Sequence, residues 1–259
     1  MSDHELVHFN SMSFVPFDIG NLESEGVRRL FRQTTSSLQG LKIEMVTNGK
    51  SPWSRQELVA ATIGLAAPNP VIRFIDSLSK EERIEAIAHE LVHILLVHRF
   101  GLRVIGRRTP HPENGDEVTR YFSDMHKNWD YLLGQAGNTT HHLILIDYLK
   151  EEYGLESKLH LRLLPHTFRH VMEENSTDKE SLYGKGVVAF ECARLAVKGA
   201  IGLNCQPEGF WKAYSSAQKH FGSYAFRAMP PPSTYEENVL SFLEDLGYPR
   251  RDFVFLPGR

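Results

Sequence analysis

The sequence predicts an α+β protein, with a small mixed sheet on its N-terminal side and a largely helical C-terminal half. Residues 41–46 alternate between polar and apolar side chains, which favours a strand. Apolar residues then recur at helical spacing through most of the remainder of the chain. With 259 residues the chain can form a core over 1–155 with a helical extension over 156–259 packed on it, or one single domain.

The elements follow in order along the chain. Val27, Leu30 and Phe31 share one face of a predicted amphipathic helix. The predicted N-terminal elements are this helix over 23–38, a strand over 41–46, a segment over 58–66 that is ambiguous between helix and strand, and a strand over 71–75. The later helical patterns cover 117–134, 140–153, 165–174, 186–200, 208–221 and 234–246.

One long helix is predicted directly after the strand over 71–75. Ser79 and Glu82 have the spacing of a capping box, in which a hydroxyl group and a carboxylate three residues later satisfy the first backbone N–H groups. The helical pattern continues to Phe100, and Gly101 can end it. Its second half is apolar on nearly every face, so we expect this helix to be buried.

The chemically most informative residues lie within this helix, where His89 to His93 read His-Glu-Leu-Val-His. Residues four apart lie on one helix face, so both imidazoles can bind a single metal ion. Glu90 cannot easily reach the same ion, but it can reach a water bound to that ion. Zinc-assisted hydrolysis uses this combination of side chains. The sequence therefore predicts a Zn²⁺-dependent hydrolase with Glu90 as general base. The alternative interpretation is a pair of hydrogen-bonded core histidines.

A catalytic zinc ion usually has three protein ligands, so a third ligand must come from elsewhere. His98 is excluded because it lies about 180° around the helix from His89. His142 is the favoured third ligand. It follows a helix start predicted at Asn138 and shares a face with buried apolar residues.

Two other residues remain candidates for the third ligand. His141 is adjacent to His142, and Glu117 begins another helical pattern after the motif helix. For the two histidines, the alternative role is helix capping or simple hydrogen bonding. For Glu117 it is that of an ordinary first-turn acid, which the helix dipole favours.

The same five letters also occur at His4 to His8. No helical pattern precedes them, and Asn10, Ser11 and Pro16 argue against a helix that continues. We therefore interpret this second copy as a coincidence or a short edge segment.

Residues 87–96 resemble the active-site helix of the zincin superfamily of metallopeptidases, and residues 71–76 resemble the strand that borders the cleft in that fold. The resemblance implies a zincin-like fold and a peptidase. It also implies that His89 and His93 bind zinc, with Glu90 as the general base.

The resemblance covers roughly residues 40–155. In the gluzincin subgroup a helix-borne Glu is followed by an Asp one turn later, but here Tyr121 stands at that spacing from Glu117. The setting of Glu117 is distantly similar to that of the Glu in cytosolic repressor-cleaving metallopeptidases. Both relationships leave the subfamily open.

Composition limits the functional classes. A net charge of −3 gives no reason to expect nucleic-acid or anionic-membrane binding. No segment is apolar enough to span a membrane, and no secretion signal is visible, so a cytoplasmic location is expected. Cys192 and Cys205 do not suggest a disulfide framework.

The expected partner is a peptide or protein substrate. The alternatives are a hydrolase of non-peptide amides and a non-catalytic, zincin-like regulatory or binding module with a structural metal.

Overall fold

A computed structural model describes residues 13–47, 59–108, 127–173, 178–195 and 206–256. Over these residues the protein is a mixed α/β structure with seven α-helices and a small mixed sheet, which confirms the predicted class. The helices are α1 (Glu25–Thr35), α2 (Lys80–His98), α3 (Lys127–Tyr153), α4 (Lys158–Glu173), α5 (Lys179–Arg194), α6 (Glu208–Phe221) and α7 (Pro232–Asp245). The strands are β1 (Ser13–Pro16), β2 (Lys42–Thr47), β3 (Ala60–Ile63), β4 (Val71–Ile75), β5 (Ile105–Arg107) and β6 (Phe253–Phe255).

The chain divides into two compact units, each described by itself. The described residues of the first unit are 13–47, 59–101 and 148–163. Those of the second unit are 102–108, 127–147, 164–173, 178–195 and 206–256. The expected division into a catalytic core over 1–155 and an extension over 156–259 concerns folding domains and stays a prediction.

The first unit contains a four-stranded sheet in the order β1-β2-β4-β3. β2 and β4 are parallel, and the edge strands β1 and β3 pair with them in antiparallel fashion. Ile72 and Phe74 alternate inward along β4 and are fully buried. The strands predicted over 41–46 and 71–75 are confirmed, and the ambiguous segment over 58–66 contributes β3.

Helix α2 packs against β3, β4 and α1. The predicted capping box is present. The Ser79 hydroxyl group accepts a 3.2 Å hydrogen bond from the Glu82 backbone N–H, and the Glu82 carboxylate accepts a 3.0 Å hydrogen bond from the Ser79 backbone N–H. Residues 86–88 and 90–97 are all buried, as the apolar pattern predicts. Gly101 follows the helix with a φ of 73°, a conformation that favours glycine.

The second unit is built mainly from helices. α6 packs against α5 and α7, and β5 pairs with β6 in a two-stranded antiparallel sheet. Cys192 lies buried in α5 as a free thiol, whereas Cys205 lies outside the described residues. Over the described part of the chain, no helix combines the length and apolar character needed to cross a lipid bilayer.

The helix start predicted at Asn138 is wrong, because α3 runs without a break from Lys127 to Tyr153. Gly134 and Gly137 disfavour a helix by about 1 kcal/mol each. The residues beside them nevertheless bury their side chains, among them Leu133, Ala136 and Thr139. Packing therefore overrides the local preference, and His142 lies in the interior of a helix instead of its first turn.

Candidate metal centre

The two motif histidines lie on one face of α2, as predicted. His93 is buried and His89 is half-buried, and their Nε2 atoms are 3.1 Å apart. Two imidazole nitrogens bound to a tetrahedral zinc ion at 2.0–2.1 Å would lie about 3.3 Å from each other. The pair therefore presents two nitrogen donors at the separation that one zinc ion requires.

The same separation also suits a direct hydrogen bond between the two rings, in which one Nε2–H donates to the other Nε2. The ring planes meet at 62° with their centroids 4.8 Å apart. The distance between the nitrogens alone does not separate a metal pair from a hydrogen-bonded pair. The side chains around the two histidines distinguish between these two interpretations.

Glu90 is the first of these neighbours. Its carboxylate is buried and accepts a 2.7 Å hydrogen bond from the Thr62 hydroxyl group, which β3 provides. Burial raises the pKa of Glu90 to about 7, while the hydrogen bonds from Thr62 and the electrostatic effect of His160 oppose that rise. A carboxylate with a pKa near neutrality can both accept and return a proton at physiological pH.

His160, in the first turn of α4, is a second neighbour, and no motif or spacing in the sequence singles it out. Its ring stacks on that of His89, with centroids 4.9 Å apart and planes at 29°. Its backbone N–H donates to the Glu85 carboxylate at 3.0 Å. Burial raises the pKa of Glu85. Because Glu85 lies one turn before His89 on α2, this hydrogen bond holds the start of α4 beside the histidine pair.

The second unit contains the favoured third ligand, His142. It is buried in α3, and its Nδ1 lies 2.6 Å from a carboxylate oxygen of Glu191 in α5. The other oxygen of Glu191 accepts from the Thr139 hydroxyl group at 2.8 Å. Thr139 and His142 are three residues apart and therefore lie on the same face of α3. No motif or spacing in the sequence points to Glu191 or Thr139 as partners of His142.

His141, the adjacent candidate, has a different environment. Its Nε2 lies 3.2 Å from the backbone carbonyl oxygen of Leu102. Burial lowers the pKa of His141 to about 4, against the opposing effect of the Leu102 hydrogen bond. The ring is therefore neutral at physiological pH, and its Nε2–H donates to the carbonyl oxygen.

The remaining predicted residues have simpler outcomes. The Nε2 of His98 lies 2.8 Å from the Leu65 carbonyl oxygen, to which its N–H can donate a hydrogen bond. Glu117 and the second motif copy, His4 to His8, lie outside the described residues. The assignment of His142 as third ligand stays a prediction.

No protein-family model, curated protein or solved structure matches this chain. The resemblance of α2 to the zincin active-site helix therefore stays an expectation that rests on the motif residues. A function can therefore be inferred only from the side chains around His89 and His93.

Proposed function

We propose that this protein is a zinc-dependent metallohydrolase with a zincin-like fold, and that its substrates are peptides or proteins. One observation carries the proposal. The Nε2 atoms of His89 and His93 lie 3.1 Å apart on a buried helix, beside the buried carboxylate of Glu90. Histidine pairs that serve only to pack a core do not need a buried carboxylate between them, because burying that carboxylate costs free energy.

The proposed ligands are His89, His93 and His142. A zinc ligand must offer a neutral imidazole with a lone pair on the coordinating nitrogen. Where Nδ1 of His142 donates to a carboxylate, the lone pair is on Nε2, as in metal sites where the second ring nitrogen is held by an acid. His141 donates its Nε2–H to a backbone carbonyl, which places its lone pair on Nδ1, and such a carbonyl is also a common partner of a metal-binding histidine. What distinguishes His142 is that its partner is an acid.

The proposed reaction is hydrolysis of an amide bond. When bound, a zinc ion polarises the substrate carbonyl group and lowers the pKa of a water molecule to about 7. Glu90 accepts a proton from the attacking water and returns it to the leaving amine. The Thr62 hydroxyl group donates to one oxygen of Glu90 at 2.7 Å and so restricts the orientation of the carboxylate that exchanges the proton.

The decisive experiment measures zinc content and chelator-reversible cleavage of a peptide library. Glu90→Gln should retain bound zinc and lose roughly 10²–10⁴-fold in turnover, the usual contribution of a general base. Glu81→Gln provides a matched control on the exposed first turn of the same helix and should behave as the wild type. Full activity of Glu90→Gln would remove Glu90 from the mechanism.

The ligand set is tested separately by metal stoichiometry. His93→Ala should lower zinc content sharply, whereas His98→Ala, on the other side of the same helix, should not. His142→Ala and His141→Ala form a second matched pair of neighbours. Unchanged zinc content in His142→Ala would exclude it as a ligand and return Glu117 to consideration.

The same measurements evaluate the two rival functions. Stoichiometric zinc without cleavage of any peptide or amide would support a regulatory or binding module in which the metal stabilises the fold. Cleavage of small non-peptide amides without peptide cleavage would support the other hydrolase class. The cytoplasmic location stays a prediction.

A further inference from the structure

Glu191 is among the most deeply buried acidic side chains in the described part of the chain. Only 2% of Glu191 is exposed. The transfer of an unpaired carboxylate from water into a protein interior is strongly unfavourable. Its hydrogen bonds with His142 at 2.6 Å and Thr139 at 2.8 Å offset that cost.

We propose that Glu191 is a positioning residue that prepares His142 to bind the metal ion, with Thr139 holding Glu191 in place. This inference rests on the proposed function, because it takes His142 as a ligand. In this role Glu191 contacts neither the ion nor the substrate. It acts through the imidazole ring that it holds.

The short contact between Nδ1 of His142 and the carboxylate of Glu191 supports this role. An ionised carboxylate can only accept, so in the proposed arrangement Nδ1 donates and the lone pair of a neutral ring lies on Nε2. The negative charge also makes the imidazole more basic and restricts rotation of its ring. Acidic partners of this kind contribute about 10–100-fold to metal affinity.

The neighbouring histidine shows that a charged partner is not needed merely to bury an imidazole. His141 is buried in the same turn of α3, and a neutral backbone carbonyl oxygen at 3.2 Å serves as its partner. His142 instead has a carboxylate at 2.6 Å, which is held in turn by a fully buried hydroxyl group. Burying the carboxylate beside His142 costs more free energy than burying a carbonyl group beside His141. This extra cost is consistent with a role for Glu191 in preparing His142 to bind a metal ion.

The experiment measures zinc affinity by competition with a chromophoric chelator. Glu191→Gln preserves shape and removes the charge, so it should bind zinc about 10–100-fold more weakly. Thr139→Val should cause a smaller loss, because Glu191 keeps its bond to His142 but loses its support. Glu180→Gln, at another acid on the same helix, should bind zinc as the wild type does.

A second measurement uses the metal-free protein and does not depend on activity. Long-range ¹H–¹⁵N spectra report which ring nitrogen of His142 carries the proton. The wild type should show a proton on Nδ1, and Glu191→Gln should shift the ring toward the Nε2–H form. A residue that serves only in packing would leave this ratio unchanged.

The outcomes separate the inference from the proposed function. If His142→Ala binds zinc normally, the proposed ligand set is wrong. If His142→Ala loses zinc while Glu191→Gln keeps wild-type affinity and the same ring tautomer, the inference about Glu191 alone is overturned. Should Glu191→Gln fail to fold, Thr139→Val provides the test, and wild-type zinc affinity in that variant would overturn the inference.

Discussion

The close approach of α5 and α6 gives a sharp prediction about stability. A Cβ atom added to Gly186 in α5 would lie 2.3 Å from the backbone oxygen of Phe210 and 3.0 Å from the Cβ of Ala213. Both neighbours lie in α6. Non-bonded carbon atoms pack at about 3.5–4.0 Å. Gly186→Ala therefore requires one helix to move away from the other by about 1 Å.

The magnitude follows from two opposing terms. Overpacking of a well-packed core costs about 1–3 kcal/mol, and the upper end applies here because the blocking atom belongs to the backbone. Replacing a helical glycine by alanine returns about 0.5–1 kcal/mol through the lower entropy of the unfolded chain. We expect a net loss of about 2 kcal/mol in the free energy of unfolding. At 2–4 °C per kcal/mol, this loss lowers Tm by about 4–8 °C.

Gly134→Ala is the matched control, since an added Cβ at this exposed position of α3 meets nothing within 4 Å. It should stabilise the protein by up to about 1 kcal/mol. Urea unfolding and scanning calorimetry of both variants measure the two effects. A Gly186→Ala variant as stable as Gly134→Ala would refute the close packing of α5 against α6.

Three further predictions concern the site and its supports. Ser79→Ala should lower the free energy of unfolding by about 1 kcal/mol in denaturant titrations, because it removes the capping hydroxyl of α2. Under the proposed function, Thr62→Val should lower kcat roughly tenfold with zinc content unchanged, since Glu90 loses its 2.7 Å hydrogen bond; an unaltered kcat would count against that role. The Lys219 ammonium group, with His220 and Ser216, lowers the pKa of Asp245 from 3.8 to about 2. The ionised Asp245 carboxylate therefore stabilises the fold above pH 4, and this stabilisation is lost as pH falls toward 2. The difference in Tm between wild type and Asp245→Asn should narrow over that interval, and a constant difference would contradict this linkage.

Local signals in the sequence were sufficient for the elements that carry the motif. Ser79 and Glu82 determine where α2 begins, and the apolar residues after them determine that it is buried. The strand over 71–75 was predicted at the bounds that β4 has. These features depend on neighbours within a few residues, so their pattern is visible without knowledge of the fold.

Features that depend on distant contacts were not predictable. Glu191 is 49 residues from His142, and Thr62 is 28 residues from Glu90, so no spacing in the sequence connects them. β5 and β6 have only three residues each and are defined by their pairing. The continuous course of α3 through Gly134 depends on packing that outweighs local helix propensity.

The complete burial of α2 between residues 90 and 97 makes this stretch one of slow hydrogen exchange. Amide protons in such an element exchange with deuterium only when a large cooperative part of the molecule opens. His89 lies just before this stretch and is half-buried, so its ring can be reached without that opening. Protection of the α2 backbone and chemical access to its first motif histidine should therefore respond differently to a destabilising substitution elsewhere in the core.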